Sequence, residues 1–90
     1  MYKITYAPKA KEDLKKLKQS DPSYFNKAVI LLQEIAIHPT TGTGHPEHLK
    51  EESENLWSRR ISKKHRLVYS VFETEILVHI LSAYGHYDDK

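Results

Sequence analysis

The chain is best understood from residues 56–69, which read Leu56-Trp57-Ser58-Arg59-Arg60-Ile61-Ser62-Lys63-Lys64-His65-Arg66-Leu67-Val68-Tyr69. Apolar and aromatic residues flank a polar centre, which predicts two strands, at about 56–62 and 66–72, around a turn near Lys63-Lys64. A third strand candidate follows at about 75–82. This run of strands makes the second half of the chain a sheet.

All three arginines of the chain lie in the predicted hairpin, whereas the other cations are lysines. A guanidinium group is a planar fork that binds phosphate through two parallel hydrogen bonds, and an ammonium group is a solvated point charge. The hairpin is therefore a candidate phosphate site. The alternative is a solvated hairpin with a basic outer face.

The faces on which these arginines lie depend on the turn. Arg59 and Arg60 are adjacent, so at most one of them faces any given site. A two-residue turn would place Arg60 and Arg66 on opposite faces of the sheet, and a three- or five-residue turn would place them on the same face. The turn lacks the Asn-Gly pair typical of the tight form, which favours the longer connection.

Upstream of the hairpin, the pattern predicts one strand and two helices. Residues 2–6 alternate between apolar and polar side chains, and residues 8–18 form an amphipathic helix that begins at Pro8. Asp21-Pro22 predicts the start of a second helix, with the aspartate as its cap, that runs to about residue 37 and ends before Pro39. Residues 39–47 are rich in glycine and proline and predict a loop.

The order strand, helix, helix, strands predicts an α+β fold. The N-terminal strand and the helical hairpin should pack on one face of a mainly antiparallel sheet of about four to five strands, which leaves the other face for a site. The last strand, at 75–82, is apolar on both faces, as in a central strand that is covered on both sides. His79 within it is interpreted as a core histidine.

Composition narrows the class of protein. Ninety residues, 39% hydrophobic and 29% charged, predict one globular domain over 1–90. A net charge of +2 is too weak to indicate nucleic acid by itself. The absence of cysteine excludes disulfides and thiolate zinc sites and fits a cytoplasmic protein. The N-terminus has no signal-peptide core, and the longest apolar run is far too short to span a bilayer.

Four groups of residues offer chemistry suited to acid–base cleavage of a phosphodiester. They supply a carboxylate, guanidinium groups, an imidazole and a phenol, which could take a proton, stabilise charge and return a proton. The groups are Glu47 with Lys50, Arg59 with Arg60, His65 with Arg66, and His86 with Tyr87. The histidines near the loop match no zinc spacing, so neither a metal nor a cofactor is expected.

Each group also has a structural alternative. Glu47 and Lys50 would be solvated loop residues, His65 would be a turn residue, and the His86-Tyr87 tail would be frayed. Tyr84 and Tyr87 would either stack on a base or anchor the tail by burial.

Three motifs in order resemble the YoeB/Txe family of bacterial toxins, within the RelE-like group. They are Gly42-Thr43-Gly44-His45-Pro46-Glu47-His48-Leu49-Lys50, Leu56 to Ile61 with His65 to Tyr69, and Tyr84-Gly85-His86-Tyr87. The resemblance covers nearly the whole chain and implies a RelE-like microbial RNase fold. Two departures are the acidic segment 51–56 and the three residues that follow Tyr87.

The resemblance also implies an activity and a role for each matched residue. Family members enter the ribosomal A site and cleave mRNA without a metal. By match, Glu47 would be the general base, His86 the general acid and Arg66 the group that stabilises the transition state. The phosphate- and substrate-binding candidates are Lys50, Arg60, Arg59 and Tyr87.

The implied partners follow from the same resemblance. They are an acidic YefM- or Phd-like antitoxin, the mRNA and 16S rRNA of the ribosome, operator DNA through the antitoxin complex, and a second copy of the chain in some members. The alternative function is a toxin that blocks the ribosome without catalysis, or one that acts mainly as an operon co-repressor with its antitoxin.

Overall fold

The computed structural model describes residues 1–85 of the chain. Within them the elements follow in the order β1 (Lys3–Tyr6), α1 (Pro8–Ser20), α2 (Pro22–Ile37), β2 (Glu47–His48), β3 (Leu56–Arg60), β4 (Arg66–Phe72) and β5 (Leu77–Ser82). The two-residue strand β2 lies where only a loop was predicted. The other elements lie where expected, although β3 ends two residues earlier and β5 begins two residues later.

The strands form one sheet in the order β1-β5-β4-β3-β2. β1 runs parallel to β5, with Ile4 opposite Val78, and the other three pairs are antiparallel. The prediction of a mainly antiparallel sheet is confirmed. β4 is the central strand and β3 lies between it and the edge strand β2, so the hairpin with all three arginines lies inside the sheet.

The two helices pack on one face of this sheet. Their apolar stripes meet inward-facing residues of β4 and β5 in a core that includes Leu17, Ala28, Leu31, Ile35, Leu67, Tyr69, Val71, Val78 and Ile80. Alternation along each strand turns the intervening residues to the opposite face. The arrangement is the predicted helical hairpin over a sheet.

Asp21 separates the helices, but its side chain does not cap α2. Pro22 occupies the first turn as predicted, and the carbonyl of Asp21 accepts the amides of Tyr24 and Phe25. The carboxylate instead accepts a hydrogen bond from Ser23 Oγ at 3.0 Å. The predicted cap residue therefore acts through its backbone.

The prediction that β5 is covered on both faces is wrong. Val78 and Ile80 are fully buried under the helices, whereas Leu77, His79 and Leu81 are only half-buried. His79 lies within hydrogen-bonding distance of Thr5, with 2.7 Å between Nδ1 and Oγ1, so it is satisfied but is not a core residue. Two helices cover only one side of a sheet, and the apolar run alone does not reveal which side.

No helix among residues 1–85 is both long and apolar enough to cross a membrane.

Candidate functional site

The β3–β4 connection spans five residues, 61–65. The amides of Ile61 and Ser62 both donate to the carbonyl of His65, and Ser62 Oγ accepts the amides of Lys64 and His65. This closes the turn and places Arg60 directly opposite Arg66. Directly opposed residues on neighbouring strands share a face, so both arginines lie on the face away from the helices.

Glu47 reaches the same face through β2. It pairs with Ser58, two residues before Arg60 on β3, and residues two apart on a strand share a face. Glu47 Oε1 lies 3.5 Å from Arg66 Nη1, and the side chains are 61% and 22% exposed, respectively. The pair is loose and open to solvent on the carboxylate side. A carboxylate and two guanidinium groups therefore meet on one accessible face.

Lys50 lies in the turn directly after β2 and is exposed. It borders a depression of about 350 Å³ that is lined by residues 47–52, so Glu47 and Lys50 share one concave surface. The turn is held by the amide of Leu49, which donates to the carbonyl of Leu56 at 2.8 Å. Glu51 and Glu52 line the same depression, which gives it mixed charge.

Arg59 is fully buried, which corrects the expectation that it contacts phosphate. Its guanidinium points under the loop that joins α2 to β2. There Nε donates to the Tyr69 hydroxyl at 3.1 Å, and Nη1 forms an ion pair with Glu34 at 2.5 Å. The other hydrogen bonds go to loop carbonyls, those of His38, Thr41 and Thr43. Arg59 shares its face with the core rather than with Arg60.

The surroundings of Arg59 shift two pKa values. The pKa of Glu34 is lowered from 4.5, chiefly by the hydrogen bond from the Thr43 amide and also by the charge of Arg59. Burial raises the pKa of Tyr69 above 10.0, against the opposing effect of Arg59. The Tyr69 hydroxyl also donates to the carbonyl of Pro39 at 2.8 Å. The Arg59 guanidinium is therefore surrounded by one carboxylate, that of Glu34, and one neutral phenol, that of Tyr69.

His65 anchors the end of the described chain beside Arg66. It is 6% exposed, and its Nδ1 accepts the amide of Gly85 at 2.9 Å. Its ring lies 4.4 Å from that of Tyr84, and the Arg66 amide donates to the Gly85 carbonyl at 3.0 Å. The half-buried Tyr84 therefore packs as an anchor, and the backbone of Gly85 lies beside that of Arg66. His86 and Tyr87 lie outside the described residues.

Sequence reasoning missed β2 and the residues that surround Arg59, including Glu34 and Tyr69. One signal was present: Arg59 alternates in phase with Ile61, an apolar residue that lies in the core, and Arg60 does not. This alternation with Ile61 distinguishes the buried Arg59 from the exposed Arg60. Glu34 and the loop carbonyls are distant in sequence, and no local pattern connects them to Arg59.

Comparison with known proteins shows which proteins this chain is similar to. A family model for the YoeB-like toxin of bacterial type II toxin–antitoxin systems matches residues 6–87. A YoeB toxin of Synechocystis sp. is 35% identical over 85 residues, which are 94% of this chain and 96% of that protein.

Two solved structures from Staphylococcus aureus have the same fold. A chain of the heterotetrameric YoeB–YefM toxin–antitoxin complex is 38% identical, with a TM-score of 0.80 over 97% of this chain and 99% of that chain. The YoeB dimer is 38% identical, with a TM-score of 0.82 over 96% and 98% of the two chains. The predicted RelE-like α+β fold is confirmed. The chain belongs to the YoeB-like toxins of bacterial type II toxin–antitoxin systems.

Proposed function

We propose that this toxin is a ribosome-dependent endoribonuclease that cleaves mRNA in the A site and so inhibits translation. The observation that carries the proposal is the approach of the Glu47 carboxylate to within 3.5 Å of the Arg66 guanidinium, on the open face of the sheet with Arg60 beside it. A base next to cations is the arrangement needed to deprotonate a hydroxyl beside a phosphate.

In the proposed reaction the nucleophile belongs to the substrate. Glu47 takes the proton of the 2′-hydroxyl, and that oxygen forms a bond to the adjacent phosphorus. Arg66, with Arg60 and Lys50, stabilises the negative charge on the pentavalent phosphate. The bond from phosphorus to the 5′-oxygen breaks, and His86 gives that oxygen a proton. The products are a 2′,3′-cyclic phosphate and a free 5′-hydroxyl.

The solvent exposure of the assigned residues supports these roles. The Glu47 side chain is 61% exposed and Arg60 and Lys50 are exposed, so a nucleic-acid backbone can reach them. Arg66 is held closer to the sheet, at 22% exposure. We assign Tyr87, which follows His86, to placement of the substrate. Arg59 has no part in this contact because it is buried.

The partners proposed for this chain come from its relatives. The S. aureus toxin forms a heterotetramer with YefM, and YoeB of the same organism also forms a dimer. We propose an acidic YefM-like antitoxin as the inhibitor of this chain, operator DNA as a ligand of their complex, and a homodimer as the antitoxin-free form. The substrate site would be completed by mRNA and 16S rRNA, which places the toxin in the cytoplasm.

Primer extension on mRNA under translation tests the proposal. The wild type should produce discrete cuts at codons positioned in the ribosome, and Glu47→Gln, which keeps the shape of the side chain but is not a base, should produce none. Glu73→Gln, at an exposed acid in the β4–β5 turn, is the matched control and should cut like the wild type. Ribosomes stalled on uncut mRNA with the wild-type protein would instead support a toxin that acts by binding alone.

A further inference from the structure

The loop between α2 and β2, residues 38–46, carries the proposed base to its place and is folded inward in an unusual way. Surface loops normally turn their carbonyls to water, because a buried carbonyl must find a donor. Here the carbonyls of His38, Thr41 and Thr43 all accept hydrogen bonds from the buried Arg59 guanidinium. A fourth, that of Pro39, accepts from the Tyr69 hydroxyl, which is itself bound to Arg59 Nε.

Arg59 uses its full hydrogen-bonding capacity in this arrangement. A guanidinium has five N–H groups in a fixed plane. One goes to Tyr69, two from Nη1 go to Glu34 and Thr43, and two from Nη2 go to His38 and Thr41. Lysine, with three donors at a single point, cannot reach these acceptors together.

A continuous set of contacts links Arg59 to Glu47. Glu34, the ion-pair partner of Arg59, also accepts the amide of Thr43 at 2.8 Å and its hydroxyl at 3.1 Å. The next carbonyl, that of Gly44, accepts the Arg60 amide at 2.7 Å. Three residues later Glu47 pairs with Ser58.

The strand that carries Glu47 is too short to hold itself. β2 has only two residues, whereas strands in globular proteins usually have three to ten. Its position therefore depends on its neighbours on both sides. After it, His48 stacks on Trp57 with 4.6 Å between ring centroids, and the Leu49 amide donates to the Leu56 carbonyl. Before it, the α2–β2 loop leads into the strand. The nearest fixed point in that loop is the Thr43–Gly44 segment on Arg59, Glu34 and the Arg60 amide.

We propose that Arg59 is a positioning residue for the reaction, whose buried guanidinium holds the α2–β2 loop so that β2 presents Glu47 to Arg66. The inference rests on the proposed function, in which Glu47 is the base. It gives the two adjacent arginines separate roles: Arg60 contacts the substrate, and Arg59 places the base.

The test compares Arg59→Lys with two other variants. Tyr69→Phe removes a single hydroxyl from the same cluster and covers the case in which Arg59→Lys fails to fold. Val78→Ala, at a buried position of β5 outside the Arg59 cluster, is the control for lost stability alone. Steady-state cleavage by programmed ribosomes gives kcat and KM, and amide hydrogen exchange at Thr43 and Arg60 reports on the loop. All measurements are made at a temperature at which each variant is folded.

Arg59→Lys should lower kcat by about 100-fold, the size of effect that a misplacement of about 1 Å can have, with KM nearly unchanged. Exchange at the Thr43 amide should accelerate in parallel. Tyr69→Phe should also lower kcat and accelerate exchange at the Thr43 amide, but by less. Val78→Ala should change neither kcat nor this exchange rate. A wild-type kcat in Arg59→Lys, or an equal loss of kcat in Val78→Ala, would overturn the inference.

The two proposals can fail separately. If the wild type cuts no mRNA, the proposed function is wrong, and the exchange at Thr43 alone decides whether Arg59 orders the loop. If the wild type cuts mRNA and Arg59→Lys does so equally well with unchanged exchange at Thr43, the function stands and the role of Arg59 is wrong.

Discussion

Arg59 and Arg60 are neighbours in β3, yet one is fully buried beneath the α2–β2 loop and the other is exposed on the opposite face of the sheet. The pleat of the strand accounts for the separation, because successive side chains point to opposite faces. An arginine pair that looks like one basic patch therefore supplies two different things, an internal anchor for a loop and a cation for the substrate face.

This separation predicts that substitutions of Arg59 and of Arg60 lower the free energy of unfolding by very different amounts. Arg59→Met should lower the free energy of unfolding by about 3 kcal/mol, because it removes the buried donor of the His38, Thr41 and Thr43 carbonyls. Arg60→Met should change it by about 0.5 kcal/mol or less, as is usual at the surface. Urea unfolding of both variants measures the difference, and equal costs would contradict the burial of Arg59.

The free energy of unfolding should depend on pH through the titration of Glu34. Its pKa is lowered below 4.5 in the folded state, so its contribution is fully present above pH 4.5 and is lost as the pH falls through the folded value. The wild type should therefore lose unfolding free energy more steeply below pH 4.5 than Glu34→Gln does. Urea unfolding from pH 7 to pH 3 provides the slopes. Glu73→Gln, at an exposed acid, should keep the wild-type slope, and identical slopes for all three proteins would count against the role of Glu34.

Alanine at Gly44 should destabilise the protein. Its φ is +86°, and an added Cβ would lie 3.1 Å from the carbonyl oxygen of Arg60 and 3.3 Å from Leu31. Gly44→Ala should cost about 1–2 kcal/mol for the left-handed backbone, and more for the close approach. Gly85→Ala is the matched control: its φ is +81°, but an added Cβ meets nothing within 4 Å. Thermal unfolding should show a larger loss of stability for Gly44→Ala than for Gly85→Ala. Equal losses would mean that the residues close to the added Cβ move away from it without cost.

Alanine at Glu47, Arg66 or His86 should abolish toxicity and leave the protein folded. Each is assigned to a chemical role, and the exposed Glu47 contributes little packing, so its substitution should change unfolding by about 0.5 kcal/mol or less. Growth arrest on induction and thermal melts of the purified variants measure the two effects. Full toxicity of His86→Ala would remove the general-acid assignment and turn attention to Tyr87 or to water.

The chemistry of the proposed reaction predicts its products. If the 2′-hydroxyl attacks, a 2′-deoxy substitution at the scissile nucleotide should block cleavage while binding stays nearly unchanged. The downstream fragment should carry a 5′-hydroxyl, and chelators should not slow the cut, because guanidinium groups supply the charge stabilisation. End-group analysis of the fragments decides the matter. Cleavage of the deoxy substrate, or a 5′-phosphate on the downstream fragment, would exclude this mechanism.

The sequence by itself determined the order and type of nearly every element. Pro8 and Pro22 mark the helix starts, alternation marks β1, and apolar and aromatic residues around a polar centre mark β3 and β4. The missing Asn-Gly signal indicated the longer hairpin turn that places Arg60 opposite Arg66. These features depend on residues close together in the chain, so local pattern is enough to reveal them. Three motifs in order also identified the family.

Only the tertiary structure decided which face of each strand is buried and which distant groups meet. It placed Glu47 on an edge strand beside Arg66, enclosed Arg59 with Glu34 and Tyr69, and left one side of β5 half-exposed. The physical reason is that burial and hydrogen-bond partners are set by contacts between segments far apart in sequence. Alternation shows that Arg59 and Arg60 point in opposite directions, but only the position of the helices and the loop makes one of them an anchor.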